Sequence, residues 1–387
     1  MNRPICYAPF IGLYAKPESG NYAPCCFSKQ KTERYQSISD YWNSERTRNT
    51  RKKLLAGEWP TDCEYCKLRQ NTPMNTDIPM WDRLFEKAKY KNGIELDIDS
   101  GNNHNRPFQI DIRPSNICNL KCRMCGQSNS SQIEAEIKKF PMLEEFYGSI
   151  EDRNDSNDFI EFLDECDLVK LKILGGEPTI DKKVLKILDK IIANYPYHEQ
   201  PEIDIVTNGT TFNKKFRNQL QNIKNIKIKF SVDATETCYE YIRTNAKWTK
   251  VNRNIRWITK KYNFTFGFNS VVMPYNIFFL DKLLEWYYDL SRHCDFFVNF
   301  VSSQQYFTDI SSILNEDIEF AREKVELLVQ KNPNIQDVNG FEILMYILDN
   351  HQFDEQNHLD FIKYNRTLDS IRQTKLVELH DRFKKYI

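Results

Sequence analysis

The sequence predicts an α/β protein built around a parallel sheet. Short runs rich in β-branched and aromatic residues alternate with segments whose apolar residues recur at helical spacing, and this alternation is typical of repeated βα units. Six runs show the strand pattern: FQIDIRP from residue 108, LVKLKIL from 168, EIDIVTN from 202, IKIKFSVD from 226, FTFGFNSVVM from 264 and DFFVNFVSS from 295. Six units are fewer than the eight of a closed barrel, so we expect an open or partial (β/α)6 barrel.

The connecting segments and the chain ends complete the predicted organisation. In DKKVLKILDKIIANY, apolar residues at helical spacing would cover the outer face of the sheet, namely Val184, Leu185, Leu188, Ile191 and Ile192. The stretch KNGIELDIDSGNNHNRP is polar and aperiodic, which indicates a connector, and the pattern from about residue 307 onward is helical. The expected parts are a small N-terminal domain (1–90), a linker (91–107), the barrel (108–305) and a helical C-terminal extension (306–387).

Composition argues against several classes of partner. The 54 Lys and Arg residues balance the 54 Asp and Glu residues, so no overall field would attract nucleic acid or acidic lipid. The start, MNRPICYAPF, lacks the basic and then apolar pattern of a signal peptide, and no apolar run approaches the roughly 18 residues of a membrane span. We therefore expect a cytoplasmic protein that binds neither nucleic acid nor membrane.

Cysteine usage points to metal or redox chemistry. The chain has 11 cysteines, and a reducing cytosol keeps thiols free, which argues against a disulfide framework. Eight cysteines fall in two clusters: Cys6, Cys25, Cys26, Cys63 and Cys66 near the N-terminus, and Cys118, Cys122 and Cys125 after the first predicted strand. Cys166, Cys238 and Cys294 stand alone and are expected to be small apolar core residues.

The second cluster, SNICNLKCRMCG, has the spacing C-x3-C-x2-C. A structural zinc site closes with four protein ligands, so three thiols on one loop suggest an open site, although half of a zinc site has the same spacing. If the metal is a 4Fe-4S cluster, each thiolate holds one iron and the fourth iron can bind a substrate or cofactor. GGEP, TNGT and SVDAT follow the next three strands, where barrel enzymes place their active sites.

The C-x3-C-x2-C loop after the first strand, together with GGEP after the second, resembles the radical S-adenosylmethionine (SAM) superfamily. The resemblance implies a partial (β/α)6 barrel and a 4Fe-4S cluster on the catalytic residues Cys118, Cys122 and Cys125. It also implies that the open iron binds SAM and that reduction of SAM yields a 5′-deoxyadenosyl radical, which abstracts hydrogen from a substrate. Met124 departs from the family pattern, which has an aromatic residue near the adenine at this position; a methionine can fill that space.

The resemblance also assigns SAM-binding roles to residues that follow the later strands. The motif whose edge binds the SAM amino group corresponds to Gly175, Gly176, Glu177 and Pro178. The positions near the ribose correspond to Asn208, Ser231 and Asp233. Arg243 lies where related enzymes place an arginine that pairs with the SAM carboxylate, and Asn269 is expected to face the same cavity.

The N-terminal cluster offers a second metal site. Its thiols include a complete ligand set for one 4Fe-4S cluster or one zinc ion, namely Cys6, Cys25, Cys63 and Cys66. The pattern C-x13-G-x4-C followed by C-x2-C resembles the SPASM and twitch auxiliary-cluster domains of radical SAM enzymes, here placed before the barrel. Gly20 is expected to form the turn of a hairpin. Cys26 either stays free or replaces Cys25, and a structural zinc ribbon remains the alternative.

A basic run, RTRNTRKK, lies between these N-terminal cysteines at residues 46–53. We interpret it as the solvated face of a helix. Binding of an acidic substrate or a phosphate group by this run is the alternative.

Together these features favour a radical SAM oxidoreductase that acts on a peptide or a small molecule. An auxiliary cluster with four protein ligands would accept or relay the electron left on the substrate, and an external donor of the flavodoxin or ferredoxin type would supply the first electron. Two alternatives stay open: a redox-neutral epimerase or small-molecule enzyme with a structural zinc in its N-terminal domain, and a non-catalytic metal-bound scaffold. The motifs do not identify the substrate.

Overall fold

The computed structural model describes residues 4–16, 20–28, 34–73, 77–92, 101, 106–150, 158–303 and 305–387. The chain divides into two compact units. Unit 1 comprises Met1–Ile117, Glu151–Val206 and Asn213–Lys227, and unit 2 comprises Cys118–Ile150, Thr207–Phe212 and Ile228–Ile387. Both units combine strands with covering helices.

Ten strands occur in the described residues. They are β1 (Gly12–Lys16), β2 (Asn21–Ala23), β3 (Gln109–Ile112), β4 (Lys121–Cys122), β5 (Lys170–Ile173), β6 (Glu202–Thr207), β7 (Ile226–Ser231), β8 (Arg243–Thr244), β9 (Thr265–Val272) and β10 (Phe296–Ser302). The six predicted strands are confirmed as β3, β5, β6, β7, β9 and β10.

The described residues also form sixteen α-helices. They are α1 (Ala8–Ile11), α2 (Ile38–Trp42), α3 (Glu45–Leu55), α4 (Glu64–Arg69), α5 (Asp77–Asn92), α6 (Ser131–Lys139), α7 (Glu144–Tyr147), α8 (Asp158–Phe162), α9 (Lys182–Asn194), α10 (Lys214–Leu220), α11 (Glu236–Ile242), α12 (Trp248–Lys261), α13 (Leu280–Ser291), α14 (Asn315–Lys331), α15 (Phe341–Asp349) and α16 (Glu355–Arg372).

The strands of unit 1 follow the order β2-β1-β3-β5-β6. β1 pairs with β3, β3 with β5 and β5 with β6, all in parallel, whereas β1 and β2 are antiparallel. Gly20 has a φ of +66°, which agrees with the predicted hairpin turn, although residues 17–19 lie outside the described residues. β1 and β2 have no counterpart among the predicted strands, because five and three residues are too few to show a clear alternation.

Helix α9 shows why the predicted helices form on unit 1. The side chain of Asp181 accepts a hydrogen bond from the backbone N–H of Lys183 and so caps the first turn. Of the five predicted residues, Val184, Leu188 and Ile191 are buried, whereas Leu185 and Ile192 are half-buried. The helix therefore covers the core with its apolar face.

The basic run falls on α3, and the prediction that it is a solvated face is wrong for Arg51. This side chain is fully buried, and its guanidinium donates hydrogen bonds to the carbonyls of Pro9 (2.7 Å) and Trp42 (2.8 Å) and to the side chain of Asn43 (2.8 Å). Backbone carbonyls can replace water around a buried guanidinium. A charge pattern in the sequence does not reveal such partners.

In unit 2, the strand order is β10-β9-β7, and β9 and β10 run parallel. Helix α12 buries Trp248, Val251, Ile255 and Ile258 along one stripe. Strands β4 and β8 form a separate antiparallel ladder in which Cys122 is opposite Arg243. This short ladder fixes the second cysteine of the triad loop.

The predicted helical C-terminal extension is confirmed as α14, α15 and α16. Helix α16 buries Phe361, Tyr364 and Leu368, and two of these side chains share an apolar cluster with Ile133 and Ile137 of α6. The extension therefore completes the core of unit 2 next to the segment that follows the cysteine triad.

The prediction of an α/β fold with a mostly parallel sheet is confirmed. Closure into a partial (β/α)6 barrel and the domain limits 1–90, 108–305 and 306–387 stay predictions, and most of the predicted linker (residues 93–100 and 102–105) lies outside the described residues. Within the described part of the chain, no helix is both long enough and apolar enough to cross a bilayer.

Candidate functional site

The triad loop, residues 118–125, places its three thiols close enough to influence one another electrostatically. Cys122 is buried, whereas Cys118 and Cys125 are half-buried. Burial raises the pKa of the Cys122 thiol, the Arg243 guanidinium lowers it, and Cys125 and Cys118 raise it again. The backbone N–H of Cys125 donates to the carbonyl of Cys122 at 3.1 Å, which closes a tight turn between them. Three thiols on one short turn fit the donor set of a cluster with one open iron.

Arg243 lies directly behind this loop. Its Nη1 is 3.7 Å from Cys122 Sγ and its Nη2 is 2.7 Å from Asp233 Oδ2. Burial lowers the pKa of Arg243, but Asp233 and Cys122 outweigh this effect, so the pKa is raised and the guanidinium stays charged. Asp233 also accepts a hydrogen bond from the backbone N–H of Val271 (2.9 Å). Arg243 Nε is buried without a hydrogen-bond partner among the described residues.

Asn208 contacts the triad loop through Asn119. Its Nδ2 donates to Asn119 Oδ1 at 3.0 Å, while Asn119 Nδ2 donates to Thr210 Oγ1 at 2.9 Å. Asn208 Oδ1 in turn accepts from the backbone N–H and the hydroxyl of Thr210. The side chain predicted to lie near the ribose therefore supports the loop in this structure, and its ribose contact stays a prediction.

Arg123, between the second and third cysteines, is fully buried. Its Nη2 lies 2.6 Å from Asp369 Oδ1 and its Nη1 lies 3.0 Å from Asn365 Oδ1, both on α16. The guanidinium also lies 3.7 Å from the centre of the Tyr241 ring, and the Tyr364 hydroxyl donates to the Arg123 carbonyl at 2.5 Å. The loop is thus tied to the C-terminal helix by a buried ion pair and neutral hydrogen bonds.

A second ion pair supports the same loop from α6. Arg372 Nη2 lies 2.6 Å from Glu136 Oε2, and both side chains are almost fully buried. Arg372 Nη1 donates to the carbonyl of Lys121 at 2.9 Å, and Lys121 Nζ lies 2.7 Å from Glu136 Oε1. Sequence reasoning missed these braces, because their partners are more than 200 residues apart in the chain.

The GGEP motif lies in unit 1 and packs against residues 115–117. The backbone N–H groups of Gly176 and Glu177 donate to the carbonyls of Ser115 (3.0 Å) and Ile117 (2.7 Å). A Cβ on Gly176 would lie 2.0 Å from the Ile117 oxygen, and Gly175 has a φ of +115°. Both glycines are therefore needed for close backbone approach to the segment that leads into Cys118.

Side chains of GGEP and its neighbours stabilise this contact. Glu177 is buried, and its Oε1 accepts from the hydroxyl of Thr179 (2.7 Å). Ser115 Oγ donates to Asp181 Oδ2 at 2.6 Å, and Asp181 is the cap of α9. Of the four motif residues, the two glycines and Glu177 have structural partners in unit 1; their role toward SAM, and that of Pro178, stays a prediction.

Strands β7 and β9 of unit 2 carry two other predicted residues. Ser231 is half-buried at the end of β7, and Asn269 is half-buried in β9, opposite Asn299 of β10. Buried side chains such as Phe268 alternate with them and point to the opposite face. The predicted roles of Ser231 and Asn269 near SAM rest on the resemblance alone.

The four N-terminal cysteines surround one small cavity in unit 1. Cys6, Cys25, Cys63 and Cys66 line it together with mostly apolar residues: Ala8, Pro9, Pro24, Phe27, Ser28, Leu54, Trp59, Ile78 and Trp81. Cys63 directly follows Asp62, whose carboxylate accepts three hydrogen bonds from Arg46 of α3. Cysteines up to 60 positions apart in the chain therefore meet at one place.

Burial dominates the electrostatics of this cavity. It raises the pKa of the Cys6 thiol to about 12 and that of Cys63 to about 11, and it raises the pKa of Cys25 as well. Cys63 and Cys66 raise the pKa of Cys6 further, which shows that the thiols influence one another. Among the described residues, no three His, Cys, Asp or Glu side chains are arranged to hold a single metal ion. Four thiols around one cavity still offer the donor set of a cluster.

Cys26 does not line the cavity and has different neighbours. Burial raises the pKa of Tyr14 and Asp111 raises that of Lys172, and electrostatic interaction with Cys26 raises both further. Tyr14 and Lys172 lie on the polar face of the unit 1 strands. Sequence reasoning missed this face. A signal was present, because charged residues alternate with apolar ones in QIDIR and KLKI, whereas a strand covered on both sides is expected to be apolar throughout.

A known family profile matches the part of the chain that contains the cysteine triad and the strands after it. Residues 112–286 match the sequence profile described as Radical SAM superfamily, so this segment is similar to radical SAM domains. The matched segment includes the triad loop, GGEP, Asn208, Asp233 and Arg243.

Individual relatives are distant. An uncharacterized protein of Methanocaldococcus jannaschii is 25% identical over 179 residues, which cover 45% of this chain and 56% of that protein. SuiB of Streptococcus suis, bound to the precursor peptide SuiA, is 17% identical with a TM-score of 0.41, covering 66% of this chain and 60% of SuiB. Native anSMEcpe with bound AdoMet is 18% identical with a TM-score of 0.43, covering 60% of this chain and 63% of anSMEcpe. The chain thus spans less than two thirds of the length of each of these relatives.

Proposed function

We propose that this protein is a radical SAM oxidoreductase with two iron-sulfur clusters. Cys118, Cys122 and Cys125 would hold the SAM-binding 4Fe-4S cluster, which when bound supplies the electron that cleaves SAM to the hydrogen-abstracting 5′-deoxyadenosyl radical. The substrate is a peptide or a small molecule, and a flavodoxin or ferredoxin type protein is the external donor. The observation that carries the proposal is the triad loop itself, because three neighbouring thiols are presented together within a segment similar to radical SAM domains.

The residues around the loop have roles that follow from their contacts. Arg243 brings a fixed positive charge to within 3.7 Å of Cys122 Sγ, which stabilises negative charge on that sulfur. Its unpartnered Nε supports the prediction that it also binds the SAM carboxylate. Arg123 and Arg372 anchor the loop, so its thiols keep one arrangement.

The second cluster would be held by Cys6, Cys25, Cys63 and Cys66. All of its irons would have protein ligands, so the residues of the cavity would isolate an electron acceptor from solvent rather than bind substrate. The mostly apolar lining supports this role. A structural zinc ion in the same cavity is the second candidate, because four thiolates satisfy tetrahedral zinc equally well.

Metal analysis tests the two sites separately. Anaerobically reconstituted protein should contain about 8 iron atoms per chain, a C118A/C122A/C125A variant about 4, and a C6A/C25A/C63A/C66A variant about 4. If the protein contains about 4 iron atoms with about 1 zinc and the N-terminal variant loses only the zinc, the auxiliary cluster is wrong and the zinc alternative holds. Binding of all iron by the N-terminal cysteines would contradict the whole proposal.

Product analysis tests the chemistry. The reduced protein should convert SAM to 5′-deoxyadenosine, and the triad variant should not. S-adenosylhomocysteine as the main product would instead indicate methyl transfer. Absence of SAM turnover in fully loaded protein would favour the non-catalytic scaffold.

A further inference from the structure

A row of polar side chains crosses four neighbouring strands of unit 1. Tyr14 of β1 is opposite Asp111 of β3, Asp111 is opposite Lys172 of β5, and Lys172 is opposite Asp204 of β6. Residues in register on adjacent strands point to the same face of a sheet and lie about 5 Å apart. The four side chains therefore lie on one side of the sheet, with Lys172 between two carboxylates.

The hydrogen-bonding capacity of this row is only partly used. Lys172 Nζ lies 3.2 Å from Asp111 Oδ2, and Asp111 is the one hydrogen-bond acceptor that Lys172 has among the described residues. Asp111 is 6% exposed, and its Oδ1 is buried without a partner within the same part of the chain. The Tyr14 hydroxyl likewise makes no hydrogen bond to any described residue. A buried carboxylate oxygen without a donor is unfavourable, so a ligand that supplies a donor is favoured.

Neighbouring charges keep the row in a defined state. Burial lowers the pKa of Lys172, but Asp111 and Cys26 outweigh this effect, so the pKa is raised and the ammonium group stays charged. Burial also raises the pKa of Tyr14, which keeps its hydroxyl protonated as a donor. The Arg113 guanidinium lies 4.9 Å from the centre of the Tyr14 ring and orders that side chain.

The ion pairs of this row do not use all of its hydrogen-bonding groups. Asp204 pairs with Lys170 of the neighbouring row, whose Nζ lies 3.2 Å from Asp204 Oδ2 and 2.5 Å from Glu202 Oε1. In the Asp111 row, one acceptor and two donors remain available side by side. This combination matches a ligand group that has an N–H donor next to a carbonyl or carboxylate oxygen.

We propose that Tyr14, Asp111 and Lys172 bind the amide or amino-acid group of the substrate, with the N–H on Asp111 Oδ1 and the oxygen on Lys172 and Tyr14. This assignment rests on the proposed function and narrows its substrate to compounds derived from amino acids, either a peptide or a free amino acid. Both sources share this chemistry, and the experiment separates them.

Thermal unfolding of the reconstituted holoprotein tests the assignment. The protein is mixed with the standard free amino acids in one arm and with their N-acetyl amides in the other. Saturating S-adenosylhomocysteine is present in both arms, so that the amino-acid moiety of SAM is not the group detected. At least one compound should raise the Tm, because a ligand that binds only the folded state stabilises it. Response to amides alone indicates a peptide, and response to free amino acids alone indicates a small molecule.

Matched variants show whether this row is responsible. Asp111→Asn and Tyr14→Phe should each weaken binding of the active compound about tenfold or more, as expected for the loss of one buried hydrogen bond. Asp164→Asn and Tyr197→Phe change exposed side chains of unit 1 and should leave binding unchanged. If Asp111→Asn does not fold, Tyr14→Phe decides, since it removes one hydroxyl without changing the ring.

Two results would overturn the assignment: no compound in either arm raises the Tm, or the active compound binds the two variants as tightly as wild type. Production of 5′-deoxyadenosine in the same preparations separates this failure from failure of the proposed function. SAM cleavage without ligand binding would contradict only the assignment of an amino-acid-derived substrate.

Discussion

The two cysteine sites are held in place by opposite means. In unit 2, the triad loop is fixed by buried charged groups, chiefly Arg123 with Asp369 and Arg372 with Glu136. In unit 1, the four N-terminal thiols line a cavity whose remaining walls are almost all apolar, and Cys6 and Cys25 pack against an apolar cluster that includes Trp81.

The contrast lies in the kind of contact that supports each site. A cavity lined by apolar side chains is held by shape and apolar contact, which are non-directional and spread over many residues. Exposure does not separate the two sites, because the four N-terminal cysteines are half-buried like Cys118 and Cys125. The triad loop instead depends on a few directional ion pairs, so a substitution at one of these residues is expected to have a large effect on stability.

The largest effect is expected from Arg123→Met. The substitution leaves the Asp369 carboxylate without its cation in a largely buried place, and breaking a buried ion pair in this way costs about 3–5 kcal/mol. Urea unfolding should show this loss, and the reconstituted variant should retain about 4 of about 8 iron atoms, those of the N-terminal site. Full iron content at both sites would show that the loop does not depend on this brace.

Arg51→Met is the matched substitution in unit 1. Arg51 is also fully buried, but its partners are neutral groups, including the carbonyl of Pro9, which lines the N-terminal cavity. Unsatisfied carbonyls are less costly than an unpaired carboxylate, so we expect a loss of about 2 kcal/mol. Iron analysis should show loss from the N-terminal site alone. Loss of triad iron in this variant would break the comparison between the two sites.

Sequence patterns located the strands and the two groups of clustered cysteines for a local reason. Alternation in EIDIVT and FTFGFNSVV is a property of a few consecutive residues, and so is the spacing of the triad. The braces are different, because Arg123 looks like any surface arginine until Asp369 is brought beside it from 246 positions away. The Asp111 row could be predicted in part. The alternation of charged and apolar residues in QIDIR is visible in the sequence, but the unpartnered Oδ1 of Asp111 is not.

Glu136→Gln probes the second brace through its pH dependence. Burial raises the pKa of Glu136, but the hydrogen bonds and charges of Arg372 and Lys121 outweigh it, so the pKa lies below its ordinary value of 4.5. The ionised carboxylate therefore stabilises the fold above pH 4.5, and this contribution is lost as the pH falls through the lowered pKa. We expect the variant to be less stable to unfolding than wild type by about 1–2 kcal/mol at pH 7. At a pH below the lowered pKa of Glu136, the two proteins should be equally stable.

Glu134→Gln on the same helix is the control for this prediction. Glu134 pairs with Lys138 one turn away, and Lys138 is largely exposed, so its loss should cost only about 0.3–0.5 kcal/mol. Urea unfolding at several pH values measures both variants. A pH-independent loss in Glu136→Gln would mean that packing, and not the ion pair, supports the loop.

The amide pair Asn119 and Asn208 makes only neutral hydrogen bonds, and it decides how the loop interacts with SAM. Asn119→Ala removes two of these bonds and Asn208→Ala removes three, each worth about 0.5–1.5 kcal/mol of stability. If Asn208 acts only through Asn119, the double variant should bind SAM no more weakly than either single variant, because the two side chains then form one interaction. If Asn208 also contacts the ribose, Asn208→Ala should weaken SAM binding further in the Asn119→Ala background. Equilibrium binding of SAM to the four reconstituted proteins distinguishes these cases. The first result would make Asn208 a third polar brace of the triad loop; the second would give it a direct role in SAM binding as well.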